Sequence, residues 1–99
     1  VVRAFEALVE VRLLADVADP AGATVERALP ALGFPQVHGV RIGKAIRFMV
    51  EADDEAGALR VARELTERLL ANPVIEEAEV SVSEAGTRQG EPLTPATRS

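Results

Sequence analysis

The sequence predicts a two-layer α+β domain of element order β-α-β-β-α-β, in which two helices cover one face of a four-stranded antiparallel sheet. Three patterns predict it. Apolar residues alternate with polar ones over Phe5–Leu13, Val40–Val50 and Ala78–Val82, the period of a half-buried strand. They recur at helical spacing over Val25–Leu32 and Ala58–Leu69. Each helical stretch also carries its own start and stop signals.

The first strand places Phe5, Ala7, Val9, Val11 and Leu13 on one face, with Glu6, Glu10 and Arg12 between them. Asp19-Pro20 then opens a helix, because Asp accepts a free amide hydrogen as N-cap and Pro suits the first helical position. Val25, Ala28, Leu29 and Leu32 form its apolar stripe. Gly33 is placed to end it, with Phe34 folding back onto Leu29. Pro30 removes a helical hydrogen bond, so the last turn is expected to tighten or kink.

Val40, Ile42, Ile46, Phe48 and Val50 all fall on even positions, and Lys44 interrupts them. A two-residue turn at Gly43-Lys44 would throw the apolar sets onto opposite faces. Two arrangements remain: a three-residue turn that pairs Ile42 with Ile46, or one long bent strand. The second exceeds the usual five or six residues, and its far half would pair with another chain. Self-association through residues 40–50 is therefore an expectation.

A second helix is predicted over about Asp54–Ala71, with Ala58, Val61, Ala62, Leu65 and Leu69 inward. Arg60–Glu64, Arg63–Glu67 and Glu64–Arg68 stand at i,i+4 spacing on the wet side. Asn72-Pro73 stops it, since the residue before Pro is pushed out of the α region. A final strand sets Ala78, Val80 and Val82 against Glu77, Glu79, Ser81 and Ser83. The order matches the split βαβ arrangement of ferredoxin-like folds. Residues 1–84 read as the domain, and 85–99, rich in Gly, Pro and Thr without periodicity, as a mobile tail.

The chain has 99 residues, a formal charge of −5 from 16 acidic and 11 basic residues, and no cysteine. That charge, with neither Tyr nor Trp for base stacking, argues against a nucleic-acid partner. Without cysteine there is no disulfide or thiolate site. No apolar run reaches the ~18 residues of a membrane span. No signal-peptide plan stands at the N-terminus. A cytoplasmic protein is expected.

The residues offer little for catalysis. His38 is the single histidine and reads as a loop residue, with no second soft ligand to complete a zinc site. Gly39-x-x-x-Gly43-Lys44 is one residue short of a phosphate loop and has Ala45 where a magnesium-binding hydroxyl belongs; Gly43 reads instead as a site of close backbone approach. Asp53, Asp54 and Glu55 complement a helix dipole rather than hold calcium. Arg41, Lys44 and Arg47 form a small basic group, either a solvated strand edge or a contact for an acidic partner.

Several segments together resemble a known family. Asp19-Pro20-Ala21-Gly22, Val25-Glu26-Arg27-Ala28-Leu29, Leu32-Gly33-Phe34, Val40-Arg41-Ile42-Gly43-Lys44 and Leu69-Leu70-Ala71-Asn72-Pro73-Val74-Ile75-Glu76 occur in that order. Over about Ala4–Val82 the chain is similar to the PurS family, the small subunit of phosphoribosylformylglycinamidine synthase. The resemblance implies a role in the fourth step of purine biosynthesis. A large synthetase subunit there uses ATP to activate an amide, and a glutaminase subunit releases ammonia. The small subunit bridges the two, supports ammonia transfer and forms dimers or tetramers by sheet association. It implies no catalytic residue and no cofactor on this chain, with ATP and magnesium on the large subunit. Asp19, Pro20, Arg41, Gly43, Lys44, Arg47, Asn72 and Pro73 are the candidate partner-contact residues. Two alternatives share the β-α-β-β-α-β order: an amino-acid-sensing regulatory domain and a small acylphosphatase-like enzyme. The second needs a phosphate-cradling loop and a placed Asn, and Asn72, the single asparagine, sits at a helix end before Pro.

Overall fold

The computed structural model describes residues 2–85. The elements run β1 (Arg3–Leu13), α1 (Pro20–Ala28), a 3-10 turn (Pro30–Leu32), β2 (Gly43–Ala52), α2 (Glu55–Leu65), a π-helical turn (Thr66–Leu70) and β3 (Glu76–Glu84). The tail expected over 85–99 lies outside the described residues except for Ala85, whose amide still donates to Ala4 O at 3.0 Å.

Three strands form the sheet among the described residues, not four, in the order β2-β1-β3. β1 is central and antiparallel to both neighbours, from Arg3↔Ala52 to Arg12↔Gly43 on one side and from Phe5↔Glu84 to Leu13↔Glu76 on the other. β2 and β3 are therefore parallel to each other, and α2 connects them across β1: the split βαβ unit is present. The expected four-strand sheet fails in the segment before Gly43. The amides of Val40 and Ile42 do not enter a ladder. Glu26 Oε1 accepts the first at 3.0 Å and Asp19 Oδ2 the second at 2.7 Å. Backbone donors held by side chains are not free for strand pairing. The strand starts only at Gly43 and then runs unbroken for 10 residues, so the hairpin alternative falls away. The four-strand order that the sensor and acylphosphatase readings shared falls with it.

β1 behaves as its alternation predicts. Phe5, Ala7, Val9 and Val11 are buried and point to the side that carries α2. Val50, Val82, Ala58 and Ala62 join Phe5 and Ala7 in the core, with Phe48, Ala52, Leu59 and Val80 half-buried around it. The inward row of α2 is Ala58, Ala62 and Thr66, small residues that bring the helix close to the sheet. Thr66 satisfies its buried hydroxyl by donating to Ala62 O at 2.7 Å. Val61 and Leu69, expected inside, are 47% and 74% exposed. Of the three wet-side ion pairs expected on α2, Glu64–Arg68 is formed at 2.9 Å.

The first helix departs most from expectation. Its signals are all in place: Asp19 caps it through Gly22 N at 2.9 Å and Pro20 holds the first position. Pro30 tightens the last turn into the 3-10 segment. Gly33 closes it at φ 95°, with Phe34 N donating to Leu29 O and Gly33 N to Pro30 O, the double closure of a Schellman motif. Yet α1 does not lie on the sheet. Val25, Ala28 and Leu32 are exposed, and Leu29 is half-buried. Because β2 runs antiparallel to β1, the connection between them returns to the end of the sheet it left. Nothing forces its helix across the sheet face, and one helix covers that face where two were expected.

Candidate partner interface

Most of the candidate contact residues gather at one end of the sheet, where β1 stops and β2 and β3 begin. Asp19 is the hinge of this corner. One carboxylate oxygen caps α1 and the other holds Ile42, so a single side chain ties the helix start to the strand entry. The amide hydrogens of Gly22 and then of Ile42 pull its carboxyl below the usual carboxylate range, against the opposing effect of desolvation and with help from Arg41. Arg41 donates to Leu14 O and Val17 O, both at 2.9 Å, and fastens the loop after β1. Leu14 N in turn donates to Ile75 O at 2.9 Å, which joins this corner to the loop between α2 and β3.

Asn72 builds that second loop. Its side chain accepts Val74 N at 3.0 Å and its carbonyl accepts Glu76 N at 2.7 Å, while Glu76 Oε1 accepts Asn72 N at 2.7 Å. Pro73 sits on its exposed crest. Asp19, Arg41 and Asn72 thus shape the surface through internal bonds, and Pro20, Lys44 and Pro73 present exposed atoms from it. Gly43 is where the backbones come close: a Cβ there would stand 2.7 Å from Val11 O. Arg47 is not part of the corner. It pairs with Leu8 in mid-strand, on the face opposite α2.

Sequence reasoning missed Gly22 and Glu26. Gly22 is buried, and a Cβ on it would meet Val40 O at 2.3 Å and Asp19 Oδ2 at 2.9 Å. A signal was available. A glycine in a helix interior costs ~1 kcal/mol against alanine, so one that stands there has a packing reason. Glu26 carried no such mark, since one more carboxylate on a wet helix looks like any other.

The end of α2 and β3 enclose an open groove of about 410 Å³, lined by Arg63, Thr66, Glu67, Ala71, Pro73 and Val80 among others. Its one hydroxyl is spent on the helix backbone. Among the described residues no three His, Asp or Glu side chains converge as a metal site, and no helix is long and apolar enough to cross a membrane. His38 lies exposed in the loop before β2.

The family model for PurS, described as phosphoribosylformylglycinamidine (FGAM) synthase, matches residues 6–84. The chain belongs to the PurS family. It is 40% identical over 77 residues to the phosphoribosylformylglycinamidine synthase subunit PurS of Thermotoga maritima, which covers 77% of this chain and 93% of that protein. The crystal structure of the Thermotoga maritima purS subunit superposes with a TM-score of 0.77 at 37% identity, over 84% of this chain and 95% of the other. A chain in the structure of PurLQS from Thermotoga maritima superposes at 0.75 with 38% identity, over 81% of this chain and 98% of that one. PurS membership accounts for the ordered segments around Asp19-Pro20, Gly43-Lys44 and Asn72-Pro73 that carried the resemblance.

The depressed carboxyl of Asp19 sets a pH dependence whose sign is fixed. The unfolded chain takes up this proton near pH 4, the ordinary Asp value, and the folded chain only at lower pH. Asp19 therefore contributes stability above that window, and the contribution is lost as pH falls through it. Replacing Asp19→Asn removes the charged acceptor. The variant is expected to melt below the wild type at pH 7, with the gap narrowing as pH falls below about 4. Melting curves at both ends of that range decide it. A gap that stays constant over the range would show that the carboxylate charge is not what holds the corner.

Proposed function

We propose that this chain is the non-catalytic assembly subunit of FGAM synthase, bridging the ATP-dependent synthetase subunit and the glutaminase subunit and supporting ammonia transfer between them. One observation carries the reading: the PurS match runs through the whole sheet-and-helix body, residues 6–84, while the candidate residues inside it are occupied in shaping a surface. The likeness to a chain of PurLQS supports work in a complex. In this reading ATP and magnesium act on the large subunit, and this chain takes no nucleic acid or membrane partner. The complex works in the cytoplasm. Self-association, to a dimer or a tetramer, runs through residues 40–50, where β2 is an edge strand with one side unpaired among the described residues.

The test is reconstitution. The chain is mixed with the two larger subunits, and synthesis is followed with glutamine and with free ammonia as nitrogen source. Leaving this chain out is expected to abolish most of the glutamine-dependent rate while sparing the ammonia-dependent one. Equal loss in both assays would contradict the bridging role.

A further inference from the structure

β3 is the second open edge of the sheet. β1 pairs one side of it without a break from Phe5↔Glu84 to Leu13↔Glu76, and no strand stands on its other side among the described residues. It runs for 9 residues and carries neither the Pro nor the bulge that commonly blunts an edge. Its charges are all of one sign: Glu76, Glu77, Glu79 and Glu84 stand on it, and no Lys or Arg does. Arg12 is shared between Glu77 and Glu79, at 3.2 and 3.7 Å, and Arg3 takes Glu84. The groove between β3 and the end of α2 touches Ala78, Glu79 and Val80 in succession. Neighbours along a strand point to opposite faces, so a groove lined by all three follows the edge itself. Glu67 and Arg63 line its helix side, both exposed and neither in an ion pair among the described residues. With Glu76 and Glu79, carboxylates outnumber the one cation of the lining.

We propose that the β3 edge takes up an extended, basic segment of a larger synthase subunit as an added strand. Lys or Arg side chains of that segment meet Glu67 and Glu79, and apolar ones lie over Ala78 and Val80. The inference rests on the assembly role proposed above and deepens it by naming the edge and the chemistry of what binds there. In strand addition, the free N–H and C=O groups of an edge hold the incoming chain, and pockets beside the edge select it. Here β3 supplies the backbone groups and the groove is the pocket. Charge chooses the occupant. A second copy that offered its own β3 would set glutamate against glutamate, and like charges directly opposite destabilise a strand pair. A second copy that offered β2 would join unlike edges, a head-to-tail contact that runs on from copy to copy unless its rotation closes a ring. A basic strand from a different protein meets neither obstacle. In the self-association proposed above β2 is the shared edge, which leaves β3 to the partner.

The test uses this chain with both larger subunits. Glu67→Lys together with Glu79→Lys reverses charge at two exposed positions, so the far-ultraviolet circular dichroism should match the wild type. Glu64→Lys makes the same change on α2 outside the groove. The double variant is expected to need about 10-fold more chain, or beyond, for half-maximal glutamine-dependent synthesis, because like charges then face each other across the contact. Glu64→Lys should behave as the wild type. Light scattering of the double variant alone should give the wild-type mass. In the wild-type complex, amide exchange should slow at alternate residues over 77–81, since β1 already holds the amides between them. A double variant that assembles like the wild type would overturn the proposal, as would β3 amides that exchange equally fast with and without the larger subunits. So would lost self-association in the double variant alone, which would assign the edge to another copy. If the wild-type chain binds neither larger subunit, the assembly role itself falls and takes this inference with it.

Discussion

Replacing Phe5→Ala is expected to unfold the domain at room temperature. Phe5 is 1% exposed, and Phe5 and Val9 are the largest side chains fully withdrawn from water. Truncating a buried Phe costs about 3–5 kcal/mol, through lost burial and the cavity left behind. Whole domains hold about 5–15 kcal/mol, and small ones lie at the low end. The surroundings offer little repair. Phe5 packs among Ala7, Val50, Ala58, Ala62 and Val82, and alanines have no reach to fill a void. The Arg3 guanidinium, 5.3 Å from the ring centre, would lose its aromatic face as well. Far-ultraviolet circular dichroism and urea titration read the result directly. As a control, Met49→Ala changes a residue that is 56% exposed on the opposite face and should shift stability by no more than about 0.5 kcal/mol. A Phe5→Ala chain as stable as this control would mean that the core lies elsewhere.

Gly22→Ala sets two physical effects against each other, and the sign of the outcome decides between them. By helix propensity alone the change should stabilise the chain by ~1 kcal/mol, since Gly22 lies inside α1. The tertiary contact says the opposite. A Cβ would stand 2.3 Å from Val40 O, a backbone atom, and 2.9 Å from the Asp19 carboxylate that caps the same helix. Neither neighbour gives way freely: Val40 is held by Glu26, and Asp19 is held by two amides. Overpacking of this kind costs about 1–3 kcal/mol even when the surroundings adjust. The contact should win. The variant is expected to melt lower than the wild type and to release α1 from the strand entry, which amide exchange at Val40 and Ile42 would report as lost protection. A rise in melting temperature would refute the close seat of α1 on residue 40.

Strand alternation and helix caps in this chain were read correctly because their causes are local. The parity of Phe5 to Val11 predicted the buried side of β1, since strand geometry alternates faces whatever the strand pairs with. Asp19-Pro20, Pro30 and Gly33-Phe34 predicted the start, the tight last turn and the closure of α1, because caps and φ restrictions act over a few bonds. The candidate contact residues lie at one end of the sheet except for Arg47, whose spacing to Lys44 said nothing about which face it takes.

The amino-acid sequence by itself determined which residues alternate, where helices begin and end, and which family the segments resemble. Only the tertiary structure decided how many strands there are, because the amides of Val40 and Ile42 went to Glu26 and Asp19, partners distant in sequence. It alone decided that α1 leaves its own sheet bare and that Val61 and Leu69 face out. An apolar stripe states that a surface avoids water. Which surface covers it depends on where the chain returns, and here an antiparallel return to the same end of β1 left the α1 stripe off its own sheet.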